Sequence, residues 1–249
     1  MLRSFLVCIF TIGLLFGCAS KPKQQYSEWV FDRDWYLKHK QGTVSFKAIN
    51  GNVYSIRGEY LWNYYQVSIK LINLTQISTA LVITDIDGLN AFAYKQNGIN
   101  RVGITIDMLN RFGNDPDALA SIVGHELAHL KLDHQTERAS RKQNSDRASA
   151  VIGGVLGAFI PFGGTLTSIS ASAISNAYTR DEERDADKQG MLWAITAGYS
   201  PCGFVRLNKE IQKNETSSTI SFLRTHPMSA ERLQTANDLA IKNKFGSCE

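Results

Sequence analysis

Ser121-Ile122-Val123-Gly124-His125-Glu126-Leu127-Ala128-His129-Leu130 is the stretch that decides how this chain folds. Ahead of it stands Asn114-Asp115-Pro116-Asp117, with an acid fit to cap a helix, a proline fit for its first turn and a further acid near its N-terminus. That signal predicts a helix over 116–133. On a helix, residues four apart share a face, so the imidazoles of His125 and His129 reach one metal ion. Ile122, Val123, Leu127 and Leu130 supply the apolar context that seats such a helix in a core. Glu126 follows His125 directly, which sets its carboxylate beside the metal. Zinc lowers the pKa of its bound water towards neutrality, and a carboxylate so placed takes the proton as that water attacks a carbonyl. The motif therefore points to one Zn2+ per chain and to hydrolysis, with Glu126 as base.

A hydrolytic zinc site wants a third protein ligand and an open position. The extended HExxHxxGxxH pattern is absent, because Leu132 and Gln135 stand where its glycine and last histidine would be. His134 lies five residues after His129, about 140° around the helix, and is expected to point away from the metal. A second helix, predicted over 178–197 and ended by Gly198, offers Arg180-Asp181-Glu182-Glu183-Arg184-Asp185-Ala186-Asp187. Glu183 and Asp187 share a face. Glu183 is the candidate third ligand, with Glu182 one residue off as the fallback. Asp187 is placed to accept a hydrogen bond from a ligand imidazole, His125, and so orient it. Such charged runs are often solvated helix faces, but Ala186 suits a close helix crossing.

Working outward, the pattern predicts an α+β fold, mostly helical, with a small sheet beside the HExxH helix. Alternation around Asn50-Gly51 reads as a hairpin over 42–57. Glu59 to Leu74 reads as a helix, and Ala80–Thr84, Ala91–Tyr94 and Val102–Ile106 as strands. Asp107 is read as the cap of a short helix ending at Phe112, and Ser229 as the cap of a last helix over 229–243. The run 151–177 is apolar and uncharged but rich in glycine and serine, which favours packing in the interior over spanning a membrane.

With 249 residues, 43% hydrophobic and 20% charged, the chain is long enough for one domain and too apolar for wholesale disorder. Its net charge of +4 comes without a basic run, so nothing favours nucleic-acid binding. The first residues are excluded from the fold: a basic start is followed by a 4–16 apolar run and then by Leu15-Phe16-Gly17-Cys18, which resembles a bacterial lipobox. The expectation is a signal peptide at 1–17, acylation of Cys18, and a lipidated tether over 18–40 leading to the main domain at 41–249. Ala19 and Ser20 are not the acidic residue that retains lipoproteins at an inner membrane, so the periplasmic face of the outer membrane is favoured. In that oxidising compartment Cys202 and Cys248 form an even set and are read as a disulfide.

Taken together, His125-Glu126-x-x-His129 and Arg180-x-x-Glu183-x-x-Ala186-Asp187 resemble the HtpX-like and CAAX-prenyl-protease-like zinc metallopeptidases. Asn90-Ala91-Phe92-Ala93 matches that family's strand motif, and Thr225-His226-Pro227 with Arg232 matches its C-terminal one. The resemblance runs over about 55–240 and is strongest to the periplasmic lipoprotein members. It implies His125, His129 and Glu183 as zinc ligands and Glu126 as base. It implies that Asn90, Ala91 and Phe92 lie on an edge strand that pairs with extended substrate. His226 would sit over the metal, either to stabilise an oxyanion or to occupy the fourth zinc position and close the site. The implied partners are unfolded or misfolded envelope proteins and, through the N-terminal lipid, the membrane. The alternative is an assembly factor or chaperone for outer-membrane proteins whose zinc site His226 keeps mostly closed.

Overall fold

The computed structural model describes residues 26–137, 140, 178–213, 220–227 and 229–248. The signal peptide, Cys18 with the first part of its tether, and the apolar 151–177 run lie outside them. The chain opens with β1 (Glu28–Trp29) and α1 (Arg33–Lys38), the latter capped by the Asp32 side chain, which accepts from Trp35 N at 2.8 Å. This part was expected to belong to the tether. Instead β1 joins the main sheet, Tyr36 is buried, and Trp29, Phe31, Trp35 and Phe46 pack ring on ring. An aromatic cluster of that size removes too much apolar surface from water to hang free.

β2 (Thr43–Lys47) and β3 (Val53–Arg57) form the expected hairpin, with Gly51 at a φ of 88° in its loop. α2 (Gly58–Thr75) buries Leu61, Tyr64, Val67 and Leu71 along one face and ends at Gln76 in the left-handed region. β4 (Thr79–Thr84), β5 (Ala91–Gln96) and β6 (Ile99–Thr105) follow. Asn97 and Gly98, both at positive φ, make the two-residue β5–β6 turn, which matches the right-handed strand twist. The sheet order is β1-β4-β6-β5. β6 inserts between β4 and β5, parallel to the first and antiparallel to the second, which leaves β5 at the edge of the sheet among the described residues.

α3 (Ile106–Phe112) is capped by Thr105, not by Asp107 as expected. The Thr105 hydroxyl accepts from Met108 N at 3.2 Å and donates to Gly88 O at 2.8 Å, while Asp107 accepts from Gly88 N instead. The last strand residue thus serves both the helix start and the loop leading into β5.

α4 (Pro116–Lys131) carries the HExxH stretch, capped by Asp115 as read from the sequence but two residues shorter than expected. Every residue from Ala118 to His129 is buried, so the helix has no solvated face along that length. It packs on α2, on β5, and on α5 (Arg180–Thr196) and α6 (Cys202–Lys213). Ala186 is buried as the crossing required, but the closest approach lies at Gly124 and Gly190. A Cβ on Gly190 would meet Gly124 C and His125 N at 2.6 Å, so two glycines set the helix separation. Cys202 at the start of α6 and Cys248 near the C-terminus have Cα atoms 5.1 Å apart and sulfurs in bonding contact, the spacing a disulfide requires. α7 (Ile220–Thr225) and α8 (Ala230–Lys242) complete the chain. Among the described residues no helix is long and apolar enough to cross a membrane.

Candidate metal centre

Each donor arrives by a local rule. α4 places His125 and His129 one turn apart, with Nε2 atoms 3.0 Å from each other. α5 starts at Thr179 with a capping box: Glu182 N donates to Thr179 Oγ1, and Thr179 N donates to Glu182 Oε2 at 2.8 Å. Glu182 is thereby committed to the helix start, and the fallback ligand is eliminated in favour of Glu183. Glu183 Oε1 lies 3.3 Å from His129 Nε2 and 3.7 Å from His125 Nε2. His226 follows α7, its N–H donating to Phe222 O at 2.8 Å, and presents Nδ1 at 3.0 Å from both His125 Nε2 and Glu183 Oε1. All four residues are buried, and among the described residues they alone form a compact metal-binding group.

The donor set fits zinc. A tetrahedral zinc with bonds of about 2.0–2.1 Å sets its ligand atoms about 3.3 Å apart, and the distances above bracket that edge. Converging imidazole lone pairs with a carboxylate oxygen among them satisfy one another poorly without a cation. Beside them the Glu126 carboxylate is 1% exposed and accepts no hydrogen bond from a described residue; its nearest cationic candidate is His226 Nε2 at 3.4 Å. Such a carboxylate is costly unless something cationic or acidic is supplied to it.

The electrostatics agree. Burial alone would lower the pKa of His125, but the Glu183 and Asp187 carboxylates raise it to about 10. Burial and the charge of His125 push His129 well below its usual range. Burial would raise Glu183, yet His226 and His125 hold it well below the usual carboxylate range. Without a metal the two carboxylates thus favour a proton on the His125 ring, which a binding metal would have to displace.

Neighbours fix the ligands. Asp187 Oδ1 lies 2.9 Å from His125 Nδ1, as the sequence predicted. Arg232, buried at 3% exposure, donates to both Asp187 oxygens, approaches Glu183 Oε2 at 2.7 Å and donates to Pro227 O at 2.6 Å. One guanidinium therefore joins a ligand, a ligand's orienting carboxylate and the loop that carries His226. The sequence marked Arg232 only as part of a motif; no periodicity assigns it this work. His134 is not among the donors, as expected, but it is not turned away from the site either. α4 stops at Lys131 and the chain reverses at Asp133, with φ 55°, so the helical angle does not apply. The His134 ring returns to meet His129 Nδ1 at 2.9 Å, on the side away from Glu183. Tyr178 stacks on His129 with centroids 3.7 Å apart.

The remaining candidates fall where the sequence put them in the chain, around β5. Asn90 precedes the strand and is paired with Thr105 through its backbone. Ala91 and Phe92 begin it, with the Phe92 ring covering Gly103 of the neighbouring strand.

Residues 60–240 match the profile of peptidase family M48, well over half the chain. Among known proteins, the chain is 25% identical over 171 residues to the β-barrel assembly-enhancing protease of Yersinia pestis, covering 64% of this chain and 34% of that one. It is 25% identical over 174 residues to metalloprotease YcaL of Escherichia coli (strain K12), covering 70% and 66%. It is 24% identical over 160 residues to the mitochondrial metalloendopeptidase OMA1 of Arabidopsis thaliana, covering 64% and 31%. The matched part thus spans about a third of the assembly-enhancing protease and about two thirds of YcaL. With this match, and with two imidazoles, a carboxylate and a third imidazole converging in a buried pocket, the chain belongs to peptidase family M48 and is a zinc-dependent metallopeptidase.

Proposed function

We propose that this protein is a lipid-anchored endopeptidase of the periplasm, attached through Cys18 to the outer membrane, that hydrolyses peptide bonds of unfolded or misfolded envelope proteins. The names of its relatives, β-barrel assembly-enhancing protease among them, support a role in outer-membrane protein assembly. The lipobox-like Leu15-Phe16-Gly17-Cys18 supports the anchor, and the adjacent Cys202 and Cys248 support a disulfide formed in an oxidising compartment.

The observation that carries the catalytic reading is the buried Glu126 carboxylate, which accepts no hydrogen bond among the described residues, beside the four donors. His125, His129 and Glu183 would hold the zinc, with Asp187 and His134 fixing the two rings. Zinc, when bound, supplies Lewis acidity that polarises a carbonyl and acidifies water. Glu126 removes the proton from the attacking water and delivers it to the leaving amine. The edge of β5, whose first outward-facing residue Ala91 lies between Asn90 and Phe92, takes an extended peptide as an added strand.

A second reading rests on His226. Its Nδ1 stands among the donors and its ring is buried. A fourth protein ligand leaves no room for water, so in this arrangement the site is closed, as an assembly factor with little proteolysis would keep it. Casein cleavage separates the two. Glu126→Gln is expected to lower the rate by about 10²–10⁴-fold with zinc retained in elemental analysis, and chelation to abolish cleavage until zinc is restored. Wild-type rates from Glu126→Gln sink the protease reading. Activity confined to His226→Ala, with none in the wild type, establishes the closed site.

A further inference from the structure

The open edge of β5 is already in use. Two fixed points show which of its backbone groups face outward. Asn90 O accepts from Thr105 N at 3.0 Å, and Gln96 and Ile99 face each other across the two-residue turn. In an antiparallel pair, bonded and non-bonded positions alternate. Phe92 and Tyr94 therefore bond to β6, while Ala91, Ala93 and Lys95 turn their N–H and C=O groups away from it, to the open edge. An added peptide strand would use those groups. At the middle one, Ala93 O accepts a hydrogen bond from Gln135 Nε2. Among the described residues Gln135 is the one side chain that donates to this edge.

Gln135 gets there by the same reversal that returns His134 to His129, the left-handed Asp133 after α4. It is half-buried. A hydrogen-bond donor sits about 2.9 Å from its acceptor, whereas an added strand would run about 4.8 Å away. The amide thus lies inside the space an incoming strand would fill. We propose that Gln135 mimics a substrate backbone N–H and competes with the peptide for the Ala93 carbonyl, so that extended substrates must displace it to pair along the full edge. Peptides that engage only Ala91 avoid this competition; peptides long enough to cover Ala93 and Lys95 meet it.

The inference rests on the peptidase reading and on edge pairing, and its test is arranged so that the two fail separately. Casein cleavage that depends on Glu126 decides the peptidase reading first. Binding is then followed by fluorescence anisotropy of a labelled casein peptide of about ten residues and of truncations, in zinc-loaded Glu126→Gln protein with and without Gln135→Ala. Losing the competitor is expected to tighten binding of the long peptide by about two- to tenfold, the worth of one net hydrogen bond, and to leave the shortest peptides unchanged. N-methylation of the peptide amide opposite Ala93, found by scanning, is expected to weaken binding more in the Gln135→Ala background than where Gln135 is present. Gln135→Met, of similar size but with no donor, should match Gln135→Ala. Unchanged or weaker binding of the long peptide, or an equal gain for all lengths, overturns the proposal while leaving the peptidase reading intact.

Discussion

Arg232 shows how much of the site depends on a side chain outside the four donors. Its guanidinium holds Asp187, Glu183 and the Pro227 carbonyl at once, with almost no exposure to water. Removing it would leave two buried carboxylates short of a positive partner. Arg232→Ala is expected to cost about 3–5 kcal/mol in denaturant unfolding of the metal-free protein, as breaking a buried ion pair from one side does. Arg232→Lys should recover only part, because an ammonium cannot reach several acceptors as a planar fork does. A loss within 1 kcal/mol for Arg232→Ala would show the network to be dispensable. The residues most legible from sequence were His125 and His129, and Glu183 and Asp187, because helical spacing puts each pair on one face, with Glu126 marked by its place beside His125. His134 and Arg232 were not legible in their roles. One depends on where a helix stops, the other on a contact across 45 residues to Asp187; neither leaves a local periodic trace.

The two metal-bearing helices meet glycine on glycine. The sequence indicated a close crossing through Ala186, which is indeed buried, but not the residues that set its distance, since Gly124 and Gly190 look locally like helix-weakening positions. In Gly190→Ala the added Cβ would fall 2.6 Å from backbone atoms of α4, which cannot yield as a flexible side chain would. The helices must part, and Glu183 must move relative to His125 and His129. The variant is expected to lose about 1–3 kcal/mol of stability and to bind zinc more weakly in competition with a chromogenic chelator. Lys188→Ala, on an exposed position of the same helix, should change neither. Zinc affinity equal to wild type in Gly190→Ala would show that the crossing does not set the site's geometry. For the strands, hydrophobic runs and Asn-Gly pairs located the hairpin and β4 to β6 to within a few residues, but β1, a two-residue strand in the stretch read as tether, left no such signal. Their order was not readable, because nothing local says that β6 enters between β4 and β5.

Across the whole molecule, the C-terminal part is held at both ends. Arg232 on α8 is tied to the metal helices, and the tail beyond α8 returns to α6 through Cys202 and Cys248. Met191, Phe204, Val205 and Ala236 form a small separate core beneath this junction, with Cys248 against it. A bridge across a sequence separation of 46 is worth about 4 kcal/mol on chain-entropy reasoning. Cys248→Ser is expected to lower the melting temperature by several degrees, and reducing agent should destabilise wild type but not the variant. No response to reductant in the wild type would mean that the two thiols stay free. The pairing was readable because few cysteines remain once Cys18 is set aside; the small core beside it was not, being built from three helices, α5, α6 and α8, whose contact leaves no local trace.

The donors are strung along the chain from His125 to His226, with Glu183 between them. A ribosome or an export channel releasing this polypeptide from its N-terminus delivers the base Glu126 about a hundred residues before the final imidazole. Until Glu183 follows, only the two imidazoles of α4 are present, and two ligands alone grip zinc feebly. The chain is thus released inert: the set of ligands that would hold zinc is complete only once α5 has followed α4, well after Glu126 has emerged.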